Sequence, residues 1–529
     1  MKRTLLFALL FSIPLLAPAQ GTSPSQRVDK AVQAMGGEAA LGQLKSLTVR
    51  ARVKEWEPHQ SNVAGGEMRF ANESVYTQTR DLSSGAVRTE WERNYSYPAT
   101  RTYKFTEVLA DGVGYVNGID TTARTKQDLS SNPPQHTMSG MRAAATTREL
   151  TRSSPLLLLD MKKNVKGAQA APAQKAGDKS LPAVRYGAFI VLFDPATGLP
   201  ERIRTRDYEP LEGDSNYDLV LSDWREIGGV KYPFRQTMQL NGKAISDATI
   251  EEASFNAEVD AKQFAIPEDY RMDAPKMADP ANVPYQWVLR RPIIGVLLDS
   301  DAVSYDSQAN PSGLKLVDRA PGVAQVQGGS HNSLIVEMEK YLVVFDAPVG
   351  DAQSKWTLAE AKKKFGAKPV KYVVLTHHHM DHTNGVRTYA AQGATVVVAQ
   401  GNGAFFRKVL TSPDTLGRDA PKNKFTPKIV EVKDRWSVND GKREVGAYVI
   451  ENPHAANYLM GYVPDAKLGW VTDLWSPGRD ALPAKITPPL MSVVSGVKKY
   501  NLDPEQFAGG HGSVGEYAPL AKLAENPQQ

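Results

Sequence analysis

Through the first half of the chain, apolar and polar residues alternate with a period of two in short runs, and near residue 314 this rhythm changes. The runs Thr48–Trp56, Glu67–Phe70, Ser74–Arg80, Ala86–Tyr95 and Arg101–Glu107 carry scattered aromatic and β-branched residues, the pattern of antiparallel strands with one wet face. Asp111-Gly112, Asn117-Gly118 and Pro195–Gly198 are turn signals between such runs. Ahead of them, Val28–Leu44 reads as a short helix broken at Gly36-Gly37, and Met138–Met161 reads as a second helix. Residues 162–180 hold almost no large apolar side chain and are expected to form an exposed insertion. Alternation returns through Ile190–Phe193, Arg202–Tyr208, Tyr217–Trp224, Lys231–Leu240 and Ile245–Phe255, so residues 28–270 are expected to form one β-rich domain. Residues 271–311, rich in Pro, Asp and Asn, read as a connector.

From residue 312 to 523, continuous apolar strands such as Tyr341–Phe345, Val370–Leu375 and Ala394–Ala399 alternate with helical stretches, Trp356–Phe365 and Asn384–Ala391. That succession predicts a layered α/β domain. The N-terminus reads differently from both halves. Met1-Lys2-Arg3, the apolar run Thr4–Leu16 and Ala17-Pro18-Ala19 form a secretory signal over residues 1–19. The run is too short to span a hydrocarbon core of about 30 Å, and no later stretch approaches ~18 apolar residues, so no stable membrane insertion is expected. An exported, soluble protein follows, periplasmic if the source is a Gram-negative bacterium.

Composition narrows the chemistry. Among 529 residues there is no Cys, which excludes disulfides, thiolate ligands and cysteine nucleophiles. Lys and Arg number 63 against 58 Asp and Glu; without Lys2 and Arg3 the balance is 61 against 58, or +3. So small an excess is weak evidence for a nucleic-acid or membrane-surface partner; a small-molecule substrate and no nucleic acid are expected.

Six of the nine histidines fall in the last third. Four stand in Thr376-His-His-His-Met-Asp-His382, straight after an apolar strand. On an extended exit His377 and His379 project to one side, with Asp381-His382 leading into a helix. His378 should point the other way and pack. Imidazoles beside a carboxylate suit zinc, iron or manganese when no thiolate is available. Further polar residues close later strands: His454 in Asn-Pro-His454, Asp473 in Trp-Val-Thr-Asp473, and His511 between glycines in Gly509-Gly-His-Gly512. His331, in a Gly-Gly-Ser-His-Asn-Ser loop, and Asn457 and Tyr458, just past His454, are candidate substrate contacts. Gly401–Arg418 reads as an amphipathic helix or a lid, whereas His59 and His136 read as structural.

His-x-His-x-Asp-His followed by His, Asp and Gly-His-Gly in an α/β setting resembles the metallo-β-lactamase-fold hydrolases, in particular the branch of glyoxalase II and lactonases. The resemblance spans about residues 312–523 and implies an αββα sandwich holding two divalent ions, zinc first, with iron or manganese as alternatives. His377, His379 and His454 would hold one ion, Asp381, His382 and His511 the other, and Asp473 would bridge them. It further implies a metal-bridging hydroxide that attacks an ester, thioester, lactone or amide-type carbonyl, with Asp381 and Asp473 as catalytic carboxylates. Many β-lactamases of this fold carry Cys at the position corresponding to Asp473, which makes a β-lactam substrate less expected here. Two alternatives stay open: a mononuclear iron oxygenase similar to the persulfide dioxygenases of this fold, and a periplasmic ligand-binding protein with an accessory metal domain. The second arises because the strand pattern of residues 28–270 is similar to the open barrels of periplasmic lipoprotein carriers.

Overall fold

A computed structural model describes residues 22–525 except 98–99, 121–132, 284–312, 418–424 and 480. The expected signal segment and most of the connector lie outside the described residues. Among those described, no helix is long and apolar enough to cross a membrane.

The N-terminal half is built on one antiparallel sheet of thirteen strands. Two meanders compose it. Strands from Ser46–Glu57 to Gln135–Thr137 form the first, and strands from Ala168–Ala176 to Lys243–Phe255 form the second. They are zipped together where the first strand pairs with the last, from Leu47 opposite Phe255 to Glu55 opposite Ser246. The sheet is open, with edges at 135–137 and 168–176. Asp111-Gly112 and Asn241-Gly242 both take positive φ, as two-residue turns matching the strand twist require.

The predicted N-terminal helix forms as Pro24–Ala34 and Glu38–Gly42. Ser23 and Gln26 close a capping box at its start. Val28, Ala31 and Val32 are buried against Val191, Ile203 and Val230 of the sheet. At Gly36, φ is +126° and a Cβ would collide with the Gly229 carbonyl, so the helix breaks where chain and sheet touch. The expected helix 138–161 is two, Gly140–Arg152 and Leu157–Lys163.

The expected insertion at 162–180 is instead part of the sheet. It contains the edge strand Ala168–Ala176 and the start of Lys179–Tyr186. Large apolar residues are sparse because an edge strand buries little; only small side chains such as Ala176 meet Leu181, Ile190 and Leu192 beneath. Pro172 sits at a register shift, a place a residue without N–H can occupy on an edge.

The C-terminal half is an αββα sandwich. A seven-stranded sheet, parallel over its last four strands Leu342–Phe345, Val370–Val374, Thr395–Ala399 and Lys428–Val432, faces a six-stranded sheet. Phe345, Val374, Val397, Leu459 and Trp470 fill the space between them. Helices Asp351–Phe365, Val386–Ala391 and Gly403–Thr411 cover the outside of the first sheet, and Pro488–Lys499 with Tyr517–Glu525 covers the second. Strands buried on both faces need no alternation, which is why they read as unbroken apolar runs.

The two halves interlock at two loops. Leu211, in the turn after Pro200–Glu209, enters the apolar core of the sandwich, and Arg387 donates to the Pro210 carbonyl at 2.9 Å. The loop following Ser46–Glu57 runs into the histidine segment: Met380 N donates to the His59 carbonyl at 3.3 Å, and Ala456 N to the Asn62 carbonyl at 2.7 Å.

Candidate metal centre

The histidine segment is aimed by a buried carboxylate. Asp346 closes the strand Leu342–Phe345 with φ +59° and is wholly buried. It accepts from Thr376 N (2.8 Å), Thr376 Oγ1 (3.0 Å), Trp470 Nε1 (3.1 Å) and Thr472 Oγ1 (2.7 Å). One side chain therefore clips three strand ends, just before His377 and just before Asp473. Burial raises its pKa against the opposing pull of His382 and the Thr376 and Thr472 donors.

Seven of the sequence-predicted ligands converge. His377, His379, His454 and Asp473 form one group, and Asp381, His382, His511 and His331 form a second; within each, donor atoms lie within 4.8 Å of one another. Asp473 links the groups. Its Oδ2 lies 3.0 Å from His454 Nε2, 3.3 Å from His377 Nε2 and 3.1 Å from His382 Nε2, while Oδ1 is 2.8 Å from His511 Nε2. Its backbone is left-handed, φ +64°, a conformation a non-glycine residue holds only under constraint and one found often at functional sites.

In three of the rings the far side supports a cation on the near side. His379 Nε2 is 3.0 Å from the Ser61 carbonyl and must donate to it, which leaves a bare lone pair on Nδ1; that atom is buried without a hydrogen bond. His511 Nδ1 donates to the Ser330 carbonyl at 2.9 Å, freeing Nε2. His377 Nδ1 rests 3.1 Å from Thr376 Oγ1, and its Nε2 lies 3.3 Å from His454 Nε2. Second nitrogens tied to oxygen acceptors are how metal-binding imidazoles are held. The donor set thus fits divalent ions.

Charge is unevenly shared. Burial lowers His377 to about 3 despite the nearby Asp473 carboxylate, and burial with its histidine neighbours holds His379 well below the usual range. His382 goes the other way: burial opposes its charge, but Asp473 and Asp381 push it up to about 10. For Asp381 and Asp473, burial works against ionisation, and the facing histidines outweigh it and hold both well below the usual carboxylate range. His377, His379 and His382 are fully buried, whereas the side chains of Asp381, His454, Asp473 and His511 keep 13–22% exposure, so the centre opens on that side.

The expected substrate contacts divide. Tyr458 is fully buried; its hydroxyl donates to the Thr472 carbonyl and accepts from Thr472 N, both at 2.7 Å, and its ring stacks on His377 at 5.5 Å. It is a prop for the centre, out of a substrate's reach, because its single hydroxyl is already engaged both ways. His331 is 7% exposed and places Nε2 3.1 Å from Asp381 Oδ2, among the candidate ligands. Burial, with His511, lowers its pKa to about 4. Asn457 is exposed, with φ +60°, and its side-chain amide lies beside Gly401. His378 packs as expected, donating to the Ser61 carbonyl at 2.8 Å. The helix Gly403–Thr411 is amphipathic, with Phe406 buried and Arg407 and Lys408 exposed; Phe405 stands 6.3 Å from the His378 ring.

Three residues with no signal in the sequence also shape the centre, all from the N-terminal domain. Gln60 Nε2 donates to Asp381 Oδ1 at 2.7 Å, and Tyr97 OH donates to Gln60 Oε1 at 2.7 Å. Ser61 offers one carbonyl to both His378 and His379.

Residues 326–469 match the sequence profile of the metallo-beta-lactamase superfamily. The C-terminal domain is a member of that superfamily. Asp473 and His511 lie beyond the matched segment, and the fold brings them to the same cluster of histidines. Solved structures similar to the chain include a metallo-beta-lactamase from Pontibacter korlensis, 19% identical, covering 40% of this chain and 99% of that one with a TM-score of 0.31. The FIM-1 metallo-beta-lactamase from Pseudomonas aeruginosa, in a mono-zinc form, is 17% identical over 42% and 98%, TM-score 0.31. The Flv1 flavodiiron core from Synechocystis is 14% identical over 41% and 60%, TM-score 0.33. No curated protein matches the chain.

Proposed function

We propose that the chain is an exported, binuclear metal-dependent hydrolase that cleaves an ester, thioester, lactone or amide-type bond of a small molecule. The observation that carries this reading is Asp473, whose two oxygens reach one histidine pair and a second histidine pair at 2.8–3.3 Å, as a bridging carboxylate between two ions would. His377, His379 and His454 would hold one ion, and Asp381, His382 and His511 the other, with His331 at hand beside Asp381. Divalent ions bound there supply Lewis acidity toward a carbonyl oxygen and bring the pKa of water down toward neutrality. Zinc is the proposed metal because the donors are imidazole and carboxylate. Asp381 keeps one oxygen on Gln60 and turns the other inward, where it can orient water and carry a proton. Asn457, exposed and three residues past His454, is the proposed substrate contact. Residues 1–19 are proposed to direct export, to the periplasm in a Gram-negative source.

Elemental analysis of the purified protein, paired with an ester, thioester, lactone and β-lactam panel, tests the reading. Near two equivalents of zinc with turnover on one class is expected. One equivalent of iron with no hydrolysis would replace it with an oxygenase, and no retained metal after supplementation would leave a binding protein.

A further inference from the structure

A cavity of about 180 Å³ lies in the N-terminal domain, between the sheet and the helix Gly140–Arg152, independent of the metal centre. For scale, a cavity of about 150 Å³ holds benzene. One part of its wall is aromatic and apolar: the Tyr76 and Trp91 rings stand 4.9 Å apart, and Tyr232 and Val49 also line it. Its charged groups are mostly matched. Glu107 accepts from Trp91 Nε1 and Arg142 Nη2, each at 2.8 Å, and Glu149 faces Arg148 and Arg152 at 3.3 and 3.6 Å.

Arg80 is the exception. It is 8% exposed, and its guanidinium meets only neutral acceptors, the Leu150 carbonyl at 2.6 Å and Ser153 Oγ at 3.5 Å. No carboxylate among the described residues forms an ion pair with it. The adjoining phenols do not supply the missing charge, because desolvation raises the pKa of both Tyr76 and Tyr232 and keeps them neutral. A buried cation without an anion is costly, and the aromatic part of the wall beside it selects what can relieve that cost.

We propose that this cavity binds a small monocarboxylate with an apolar body, an aromatic or short aliphatic acid, its carboxylate on Arg80 and its body against Tyr76, Trp91 and Tyr232. A bidentate guanidinium–carboxylate contact gives the orientation, and the aromatic walls give the contact area.

Titration calorimetry on the full chain with benzoate and hexanoate, each against its neutral amide, tests this. The acids are expected to bind at least ~10-fold more tightly than the amides. Arg80→Met should abolish that preference, and Thr146→Phe, which fills the cavity from the helix side, should weaken acid binding by ~10-fold or more with metal content unchanged. Equal binding of acid and amide, no binding of either acid up to about 10 mM, or unchanged affinity in Thr146→Phe would overturn the proposal. Should Arg80→Met fail to fold, the acid–amide comparison and Thr146→Phe still decide.

Discussion

Replacing Gln60 by Met removes one hydrogen bond to the metal centre from a residue more than three hundred positions away from it in sequence. Gln60 Nε2 donates to Asp381 Oδ1 at 2.7 Å, and Asp381 is ionised, so the bond is charge-assisted. Such bonds contribute about 1.5–3 kcal/mol, equivalent to ~10–150-fold in an equilibrium constant. Partners that orient a ligand are typically worth ~10–100-fold in metal affinity, which agrees. Gln60→Met should therefore weaken the ion held by Asp381, His382 and His511 by ~10–100-fold. The other ion should be affected much less, since the Ser61 carbonyl still holds His379. Tyr97 hydrogen-bonds to Gln60 rather than to Asp381, by a neutral bond; Tyr97→Phe alone should cost about 0.5–1.5 kcal/mol, and in the Gln60→Met background much less. The assay is zinc competition against a chromophoric chelator, with the melting temperature as a check on folding. If Gln60→Met gave a two-site isotherm superimposable on wild type, the N-terminal loop would be mere packing.

Four further outcomes are expected. Asp346→Ala should abolish metal retention, because four donors lose their common acceptor; elemental analysis checks it. Asp218→Ala should destabilise the N-terminal domain by about 3–5 kcal/mol in urea unfolding, leaving buried Arg204 without its paired carboxylate at 2.7 and 2.8 Å. Although burial opposes it, the Arg204 and Arg202 contacts lower the Asp218 pKa, so this stabilisation holds above the ordinary carboxylate pKa and is lost as pH falls through the lowered folded value. Gly461→Ala would place a methyl 2.5 Å from the Phe345 ring between the two sheets, an overpacking cost of about 1–3 kcal/mol readable as a lowered melting temperature.

The convergence of the candidate ligands was legible because they follow strand ends in motifs with their own local pattern: His377 and His379 straight after an apolar strand with Asp381-His382 opening the next helix, Asp473 after Gly-Trp-Val-Thr, and His511 between glycines. The αββα layering was legible for a related reason, since doubly buried strands leave unbroken apolar runs. Gln60, Ser61 and Tyr97 were invisible because their partners are distant in sequence and an ordinary polar loop marks nothing. Tyr458 misled for the opposite reason; adjacency to His454 suggested reach, while the pleat turned its ring under His377. The edge strand at 168–176 was missed because edge strands need few large apolar side chains.

The seam between Ser46–Glu57 and Lys243–Phe255 has a consequence for how the protein is made. These strands are separated by nearly two hundred residues, so the pairing cannot close until the second meander has left the ribosome. The loop that brings Gln60 and Ser61 to the histidines hangs from the strand that waits. Its proper placement therefore depends on completion of both the seam and the sandwich, and metal binding, which favours the assembled state, ratchets that last step shut.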